Sequence, residues 1–177
     1  MSLTPIDLAL DQVAAQLPKI ADSETVPLTQ AAGRVLAEDC VSLIDVPGHC
    51  NSAMDGYALR VADQDAETPV LRIAQRIAAG EVGRRLEAGE AARIFTGAPV
   101  PEGADAVVMQ ENCSVNGDSL SILQVVASGE NLRQAGGDIQ AGARILAAGH
   151  RLKSQDIGLL ASIGMDSIRV IRKLKVC

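Results

Sequence analysis

Cys113-Ser114-Val115-Asn116-Gly117-Asp118-Ser119-Leu120-Ser121-Ile122 is the stretch that decides the fold class. Asn116-Gly117 separates two strand-prone runs, Cys113–Val115 and Leu120–Val125. Both residues tolerate the positive φ of a type I′ turn, so the stretch predicts a β-hairpin. Upstream, Leu71, Ile73, Gln75 and Ile77 alternate with Arg72, Ala74, Arg76 and Ala78, which predicts a half-buried strand. Two short strands follow, at Ala92–Thr96 and Asp105–Glu111. They are joined by Gly97-Ala98-Pro99-Val100-Pro101-Glu102-Gly103, whose prolines and glycines impose an unusual backbone path. Downstream, glycines at 129, 136, 137, 142 and 149 punctuate short strands and turns.

Further out the pattern changes. Thr4 and Pro5 suit the start of a helix, with Asp7 in its first turn and Ile6, Leu10, Val13 and Leu17 on one apolar face up to Pro18. A short helix is expected over Thr29–Gly33 and strand over Arg34–Leu43. Pro47–Tyr57 reads as an irregular loop. At the other end Ser154 is expected to cap a helix with Ile157, Leu160 and Ala161 on one face and Gly164 as its stop. A strand from Ile168 to Val176 closes the sequence, and its abrupt end at Cys177 suggests a cut at a domain boundary. The expected class is α+β, mostly β, without the strand–helix alternation of a doubly wound sheet. Residues 1–46 with 140–177 are expected to form one discontinuous domain, and 47–139 an inserted β-rich domain carrying the site loops.

Composition narrows the function. With 47% hydrophobic and 21% charged residues over 177 positions, the chain is expected to fold and to be soluble. Tyr57 and Phe95 are its only aromatics, so the core must be aliphatic. A net charge of −6 disfavours nucleic acid as a partner. The basic residues Arg169, Arg172, Lys173 and Lys175 read as a solvated strand face. No apolar run is long enough to span a membrane, and no signal peptide is recognisable. The chain is expected to be cytoplasmic with reduced thiols. Cys40, Cys50, Cys113 and Cys177 make no CxxC pair, and His49–Cys50 alone is a weak metal signal.

Three segments offer chemistry. Asn51-Ser52-Ala53-Met54-Asp55-Gly56-Tyr57-Ala58 presents side-chain oxygens to a ligand or to Mg²⁺, although Asn51 and Asp55 could equally make Asx-turns. In Arg93-Ile94-Phe95-Thr96-Gly97-Ala98-Pro99-Val100-Pro101, Thr96 at a strand end before a glycine turn places a hydroxyl and amides where they could hold an oxyanion, or merely cap the strand. Arg133 could pair with a phosphate or with Asp138, and Asp138 could serve a metal or proton transfer. No GxxxxGK[ST] or GxGxxG loop and no serine or cysteine triad is present.

Together these segments resemble the MoeA-type molybdopterin molybdenumtransferases, which include the E domain of gephyrin. The resemblance rests on Asn51–Ala58, on Phe95-Thr96-Gly97-Ala98-Pro99 with Pro101, Gly103 and Ala104–Val108, on Arg133, Gly136, Asp138-Ile139 and Gly142, and on Asp156–Gly164. It implies an elongated helix/strand dimerisation domain with the β-rich domain inserted in it, in a homodimer whose cleft also needs domains beyond this chain. It implies hydrolysis of adenylylated molybdopterin with Mg²⁺ and insertion of molybdate. Asp55, Thr96 and Asp138 match the family's catalytic positions, with Asp55 and Asp138 as the metal candidates. Asn51, Ser52, Gly97 and Arg133 are the expected cofactor-binding positions. The molybdopterin adenylyltransferase and apo-molybdoenzymes are the implied protein partners.

Two departures stand out. Gly48-His49-Cys50 replaces the family's usual Pro-Phe-Asp, and Gly137 stands where an acidic residue is common. The rival readings are a non-catalytic dimerisation or scaffold module of the same fold and, more remotely, a metal-binding regulatory domain using His49 and Cys50. The chain by itself is expected to fold but to be inactive.

Overall fold

The computed structural model describes residues 5–16, 22–64 and 69–174. Its elements run α1 (Ile6–Gln16), β1 (Ser23–Pro27), a 3-10 turn (Leu28–Gln30), β2 (Cys40–Val41), β3 (Asn51–Ser52), β4 (Gly56–Leu59), a 3-10 turn (Val61–Gln64) and β5 (Val70–Ile77). Then come β6 (Glu90–Ile94), β7 (Ala106–Met109), a 3-10 turn (Gln110–Asn112), β8 (Cys113–Asn116), β9 (Ser119–Ile122), β10 (Leu132–Arg133), β11 (Arg144–Leu146), α2 (Ser154–Ser162) and β12 (Ser167–Ile171). This is the α+β, mostly β class that the residue pattern predicts. The chain divides into two compact units, Met1–Val41 with Arg144–Cys177, and Ser42–Ala143.

The second unit is built on a six-stranded sheet in the order β7-β4-β6-β5-β9-β8. Neighbours are antiparallel except β5 and β6. A parallel pair needs a long crossover, and residues 78–89 supply it, anchored by buried Leu86. Apolar side chains fill both faces, so β4 and β7 read as nearly continuous hydrophobic runs. Tyr57, Leu59, Leu71, Ala91, Val108 and Leu120 gather in one cluster. Ala58, Ile77, Leu86, Ala92, Ile94 and Val107 gather in another.

One detail of β5 departs from the predicted alternation. Its register against β6 runs Ile73↔Ala91 and then Gln75↔Ala92, so Ala74 is an extra residue. Such a bulge reverses which face every later side chain occupies. Leu71 and Ile77 therefore belong to different clusters, although strict alternation would put them together.

The hairpin forms, but its turn sits one residue later than expected. Asn116 pairs with Ser119, leaving Gly117-Asp118 as the two-residue loop. Gly117 has φ +58, and Asn131 is the only non-glycine residue with positive φ among the described residues. Glycine with positive φ in the first loop position followed by a residue with negative φ is the pattern of a type II′ turn, which twists with the flanking strands as type I′ does.

In the first unit β1 pairs with β12 and β2 with β11. The expected strand over Arg34–Leu43 shrinks to Cys40–Val41. The backbone there is satisfied by several partners in turn, not by one ladder: Leu36 N–H donates to His150 O, Ala37 N–H to Arg169 O, and Val35 O accepts from Ile171 N–H. The Thr29–Gly33 helix is a single 3-10 turn at Leu28–Gln30. Ser154 is the first residue of α2, not its cap; Asp156 accepts the Lys153 N–H at 2.8 Å and so satisfies a donor at the helix start. Leu160 and Ile163 turn inward, whereas Ala161 is exposed. The closing strand ends at Ile171, where its partner β1 begins. Arg169 on it and Arg172 just beyond it are exposed and meet Glu38 and Asp22. Thr4, Leu17, Pro18 and the last residues of the predicted closing strand lie outside the described residues. Ile6, Leu10 and Val13, the apolar face of α1, are exposed.

Candidate functional site

The loop predicted over Pro47–Tyr57 is more ordered than its composition suggests. Its centre is the short strand β3, and the other two candidate segments bond to it from either side. On one side Ser52 N–H donates to Ala98 O at 3.0 Å, Gly97 N–H donates to Ser52 O at 2.9 Å, and Val100 N–H donates to Cys50 O at 3.1 Å. On the other, β10 pairs with β3, placing Arg133 opposite Asn51 and Leu132 opposite Ser52. Ala53 N–H donates to Asn131 O at 2.9 Å, and the Asn131 amide donates to Val107 O at 2.8 Å. Asn131, the first residue of the third segment, thus ties it to the sheet. Its φ of +56 is a conformation that asparagine tolerates better than most residues. Further along, Gly136 N–H donates to Pro47 O and Asp138 N–H to Val46 O, both at 2.9 Å.

Asp55 and Thr96 meet directly. One oxygen of Asp55 accepts both the Thr96 peptide N–H and the Thr96 hydroxyl, each at 2.8 Å. The Thr96 peptide, then its hydroxyl, and more weakly the positive charge of Arg93 hold the Asp55 carboxyl below the usual carboxylate range. Its other oxygen makes no hydrogen bond among the described residues. Gly56 fixes the backbone beside it: a Cβ there would lie 2.0 Å from Val108 O, so no larger residue fits.

Arg133 and Asp138 form an exposed ion pair at 2.7 Å, one of the two partnerships the sequence offered Arg133. Ser52 uses its hydroxyl locally, donating to Met54 O at 2.6 Å, so its contribution to the site is its backbone. Asn51 is 7% exposed, and its side-chain oxygen is buried with no donor. A buried polar atom in that state costs about 1–3 kcal/mol, which is the usual mark of a strained or ligand-binding group. Cys50 is a free, half-buried thiol whose pKa is pushed up by burial, which opposes metal ligation as a thiolate. Among the described residues no three His, Cys, Asp or Glu side chains converge on a point.

Arg93 organises the end of β6 next to this corner. It donates to Gly56 O at 2.8 Å, Ile94 O at 3.1 Å and Gln110 Oε1 at 2.6 Å. It also lies over both aromatic rings of the chain, 4.5 Å from the Phe95 centroid and 5.3 Å from that of Tyr57. The presence of both aromatics and of Arg93 in the candidate segments is visible in the sequence; the stacking of that arginine on both rings is not.

Residues 4–164 match the family described as MoeA N-terminal region, domain I and II. The chain is 36% identical over 172 residues to a molybdopterin molybdenumtransferase of Haemophilus influenzae, covering 97% of this chain and 43% of that protein. It is 38% identical over 170 residues to molybdopterin molybdenumtransferase 2 of Mycobacterium tuberculosis, covering 93% and 42%. The crystal structure of the molybdopterin biosynthesis moeA protein from Pyrococcus horikoshii OT3 superposes with a TM-score of 0.90 at 36% identity, covering 96% of this chain and 46% of that one. The chain therefore spans less than half the length of the relatives it matches.

Proposed function

The chain belongs to the MoeA N-terminal region family, and from that premise we propose that it contributes one wall of a molybdopterin molybdenumtransferase active site. In this reading the whole enzyme hydrolyses adenylylated molybdopterin and inserts molybdate into the dithiolene. The observation that carries the reading is Asp55, whose one oxygen is fixed by two neutral donors of Thr96 while the other accepts no hydrogen bond among the described residues. A carboxylate held this way stays ionised and oriented, ready to accept a proton from water or a hydrogen bond from substrate. Thr96 is the positioning residue for it, and Gly97 continues the turn. Arg133 exchanges Asp138 for a phosphoryl group, a ligand that its planar fork suits equally well. Asn51 offers its unpartnered oxygen to a ligand N–H, and Ser52 holds the two flanking segments together through its backbone.

Mg²⁺ rests in many phosphoryl sites on one or two carboxylates, completed by water and phosphate oxygens. The free oxygen of Asp55 fits such a sparse set, with Asp138 as the second donor once Arg133 turns away. Bound there, the ion would offset charge on the phosphoryl oxygens. We further propose that residues 1–46 and 140–177 serve dimerisation and that 47–139 carries the site loops. Exposed Ile6, Leu10 and Val13 support a homodimer with α1 at or near its interface. A cytoplasmic setting, with the molybdopterin adenylyltransferase upstream and apo-molybdoenzymes downstream, completes the reading.

A scaffold role for the same fold is favoured by Gly48-His49-Cys50, which lacks the family's usual carboxylate. One experiment separates the two. Molybdenum insertion into a cofactor-free molybdoenzyme is measured with the natural gene product carrying this chain, as wild type and as Asp55→Ala. A tenfold or larger fall, about 1.4 kcal/mol of transition-state stabilisation, supports the catalytic reading. Equal activity assigns these units to assembly alone.

A further inference from the structure

The bulge at Ala74 has placed two like charges side by side. Past it, Arg76 of β5 stands directly opposite Arg93 of β6, on the face that Tyr57 shares through its own pairing with Arg93. Were Ala74 paired with Ala92 in an unbroken ladder, Gln75 would stand opposite Arg93 and Arg76 would point to the other face. Both guanidinium groups lie 4.5 Å from the centroid of Phe95. Like charges directly opposite on neighbouring strands repel, and a ring between them compensates only in part.

The other arginines nearby are neutralised. Arg72 and Arg84 both pair with buried Glu90, and Arg85 pairs with Glu102 at 2.5 Å. Arg76 meets no carboxylate and donates no hydrogen bond among the described residues. Arg93 spends its donors on two peptide oxygens and the Gln110 amide, all neutral acceptors. Asp55 feels the charge of Arg93 but forms no ion pair with it; its hydrogen bonds go to Thr96. In an acidic chain, with 22 acidic against 16 basic residues, two adjacent uncompensated guanidinium groups are an unusual concentration of positive charge. Phe95 is followed at once by Thr96, so this charge adjoins the Asp55 corner.

We propose that Arg76 and Arg93, stacked on Phe95, form a binding site for a tetrahedral oxyanion, either the phosphoryl group of a substrate or a free oxyanion of the same shape. The ring fixes the planes of the two guanidinium groups, so fewer rotamers are lost when their N–H groups engage the anion. A bulge beside a functional corner re-aims a side chain in this way. The site serves any such anion, so its test does not depend on the molybdopterin reading.

The test follows the arginine side-chain N–H resonances of the 177-residue chain while inorganic phosphate, molybdate, adenosine 5′-monophosphate, adenosine and sodium chloride at matched ionic strength are added in turn. The expected result is a saturable shift of the Arg76 and Arg93 signals with the oxyanions and not with adenosine or chloride. Tighter binding of the nucleotide than of inorganic phosphate identifies a substrate phosphoryl group as the ligand; the reverse order identifies the free oxyanion. Arg76→Gln should weaken binding about fivefold to tenfold while the sheet amide signals stay in place, and Phe95→Leu should weaken it without removing either charge. Chloride acting as well as phosphate, or saturable binding that Arg76→Gln leaves unchanged, would overturn the proposal.

Discussion

Two acidic corners flank β3, and they hold their carboxylates in opposite ways. At Asp55 the donors are a peptide N–H and a hydroxyl, both neutral, so the negative charge is oriented but not cancelled. At Asp138 the donor is a guanidinium, so the charge is cancelled but free to be exchanged. The first corner is rigid as well, because Gly56 lets β4 lie against β7 closely enough to exclude any side chain. The second is an exposed pair in a glycine-rich turn. The difference separates a group built to act from where it stands from one built to change partners.

The largest expected effect breaks the rigid corner. Gly56→Ala drives a methyl into Val108 O, and no flexible side chain is there to yield. Destabilisation of about 3 kcal/mol or more is expected by chemical denaturation; a change under about 1 kcal/mol would mean the two strands can separate without penalty. Next in size is the tenfold or greater fall in molybdenum insertion on Asp55→Ala. Thr96→Val then sharpens the comparison, since it removes the hydroxyl donor and keeps the peptide N–H. The Asp55 pKa should rise toward the ordinary carboxylate value when followed by carboxyl-carbon NMR, with activity falling about threefold to tenfold. An unmoved titration would show that the peptide N–H alone sets Asp55. The smallest effect is on the other side: Asp138→Asn or Arg133→Gln should change stability by less than about 1 kcal/mol, because both side chains are half exposed.

Acid should reveal the same order. Asp55 has a lowered folded pKa, so its contribution is complete above the ordinary carboxylate value and is lost as pH falls through the lowered one. Asp156 behaves likewise, held down first by His150 and then by the Lys153 peptide at the start of α2. The Thr96 amide resonance should therefore stay constant from neutral pH down to the ordinary carboxylate value and move only below it. Movement starting higher would contradict the assigned hydrogen bonds.

Much of this was legible in the residues. The β5, β6 and β7 positions, the β8–β9 hairpin and the three site segments follow from local pattern, because alternation and turn chemistry act over a few residues. What escaped depends on partners far away in sequence. Arg34–Val41 has strand-like residues, yet its backbone bonds go to His150, Arg169 and Ile171 in turn. Asn51 and Ser52 look like loop residues and become a strand because segments some 45 and 80 residues later close on them. The Asp55–Thr96 contact joins residues that the sequence could nominate singly but not pair. Arg76 and Arg93 could each be placed on a strand but not opposite one another, because that pairing depends on the bulge at Ala74.

Ala74 has an alanine's small side chain, and exchanging it for another small residue should pass almost unseen. Deleting it should be nearly as silent. Ile73 and Gln75 would become consecutive opposite Ala91 and Ala92, so the ladder would run without a bulge while Arg76 and Ile77 kept their partners and their faces. In a scan of this strand, loss of that one codon should be far better tolerated than gain of one between Gln75 and Arg76, which would turn Arg76 away from Arg93, because the number of residues past the bulge, as much as their identity, specifies what faces the site.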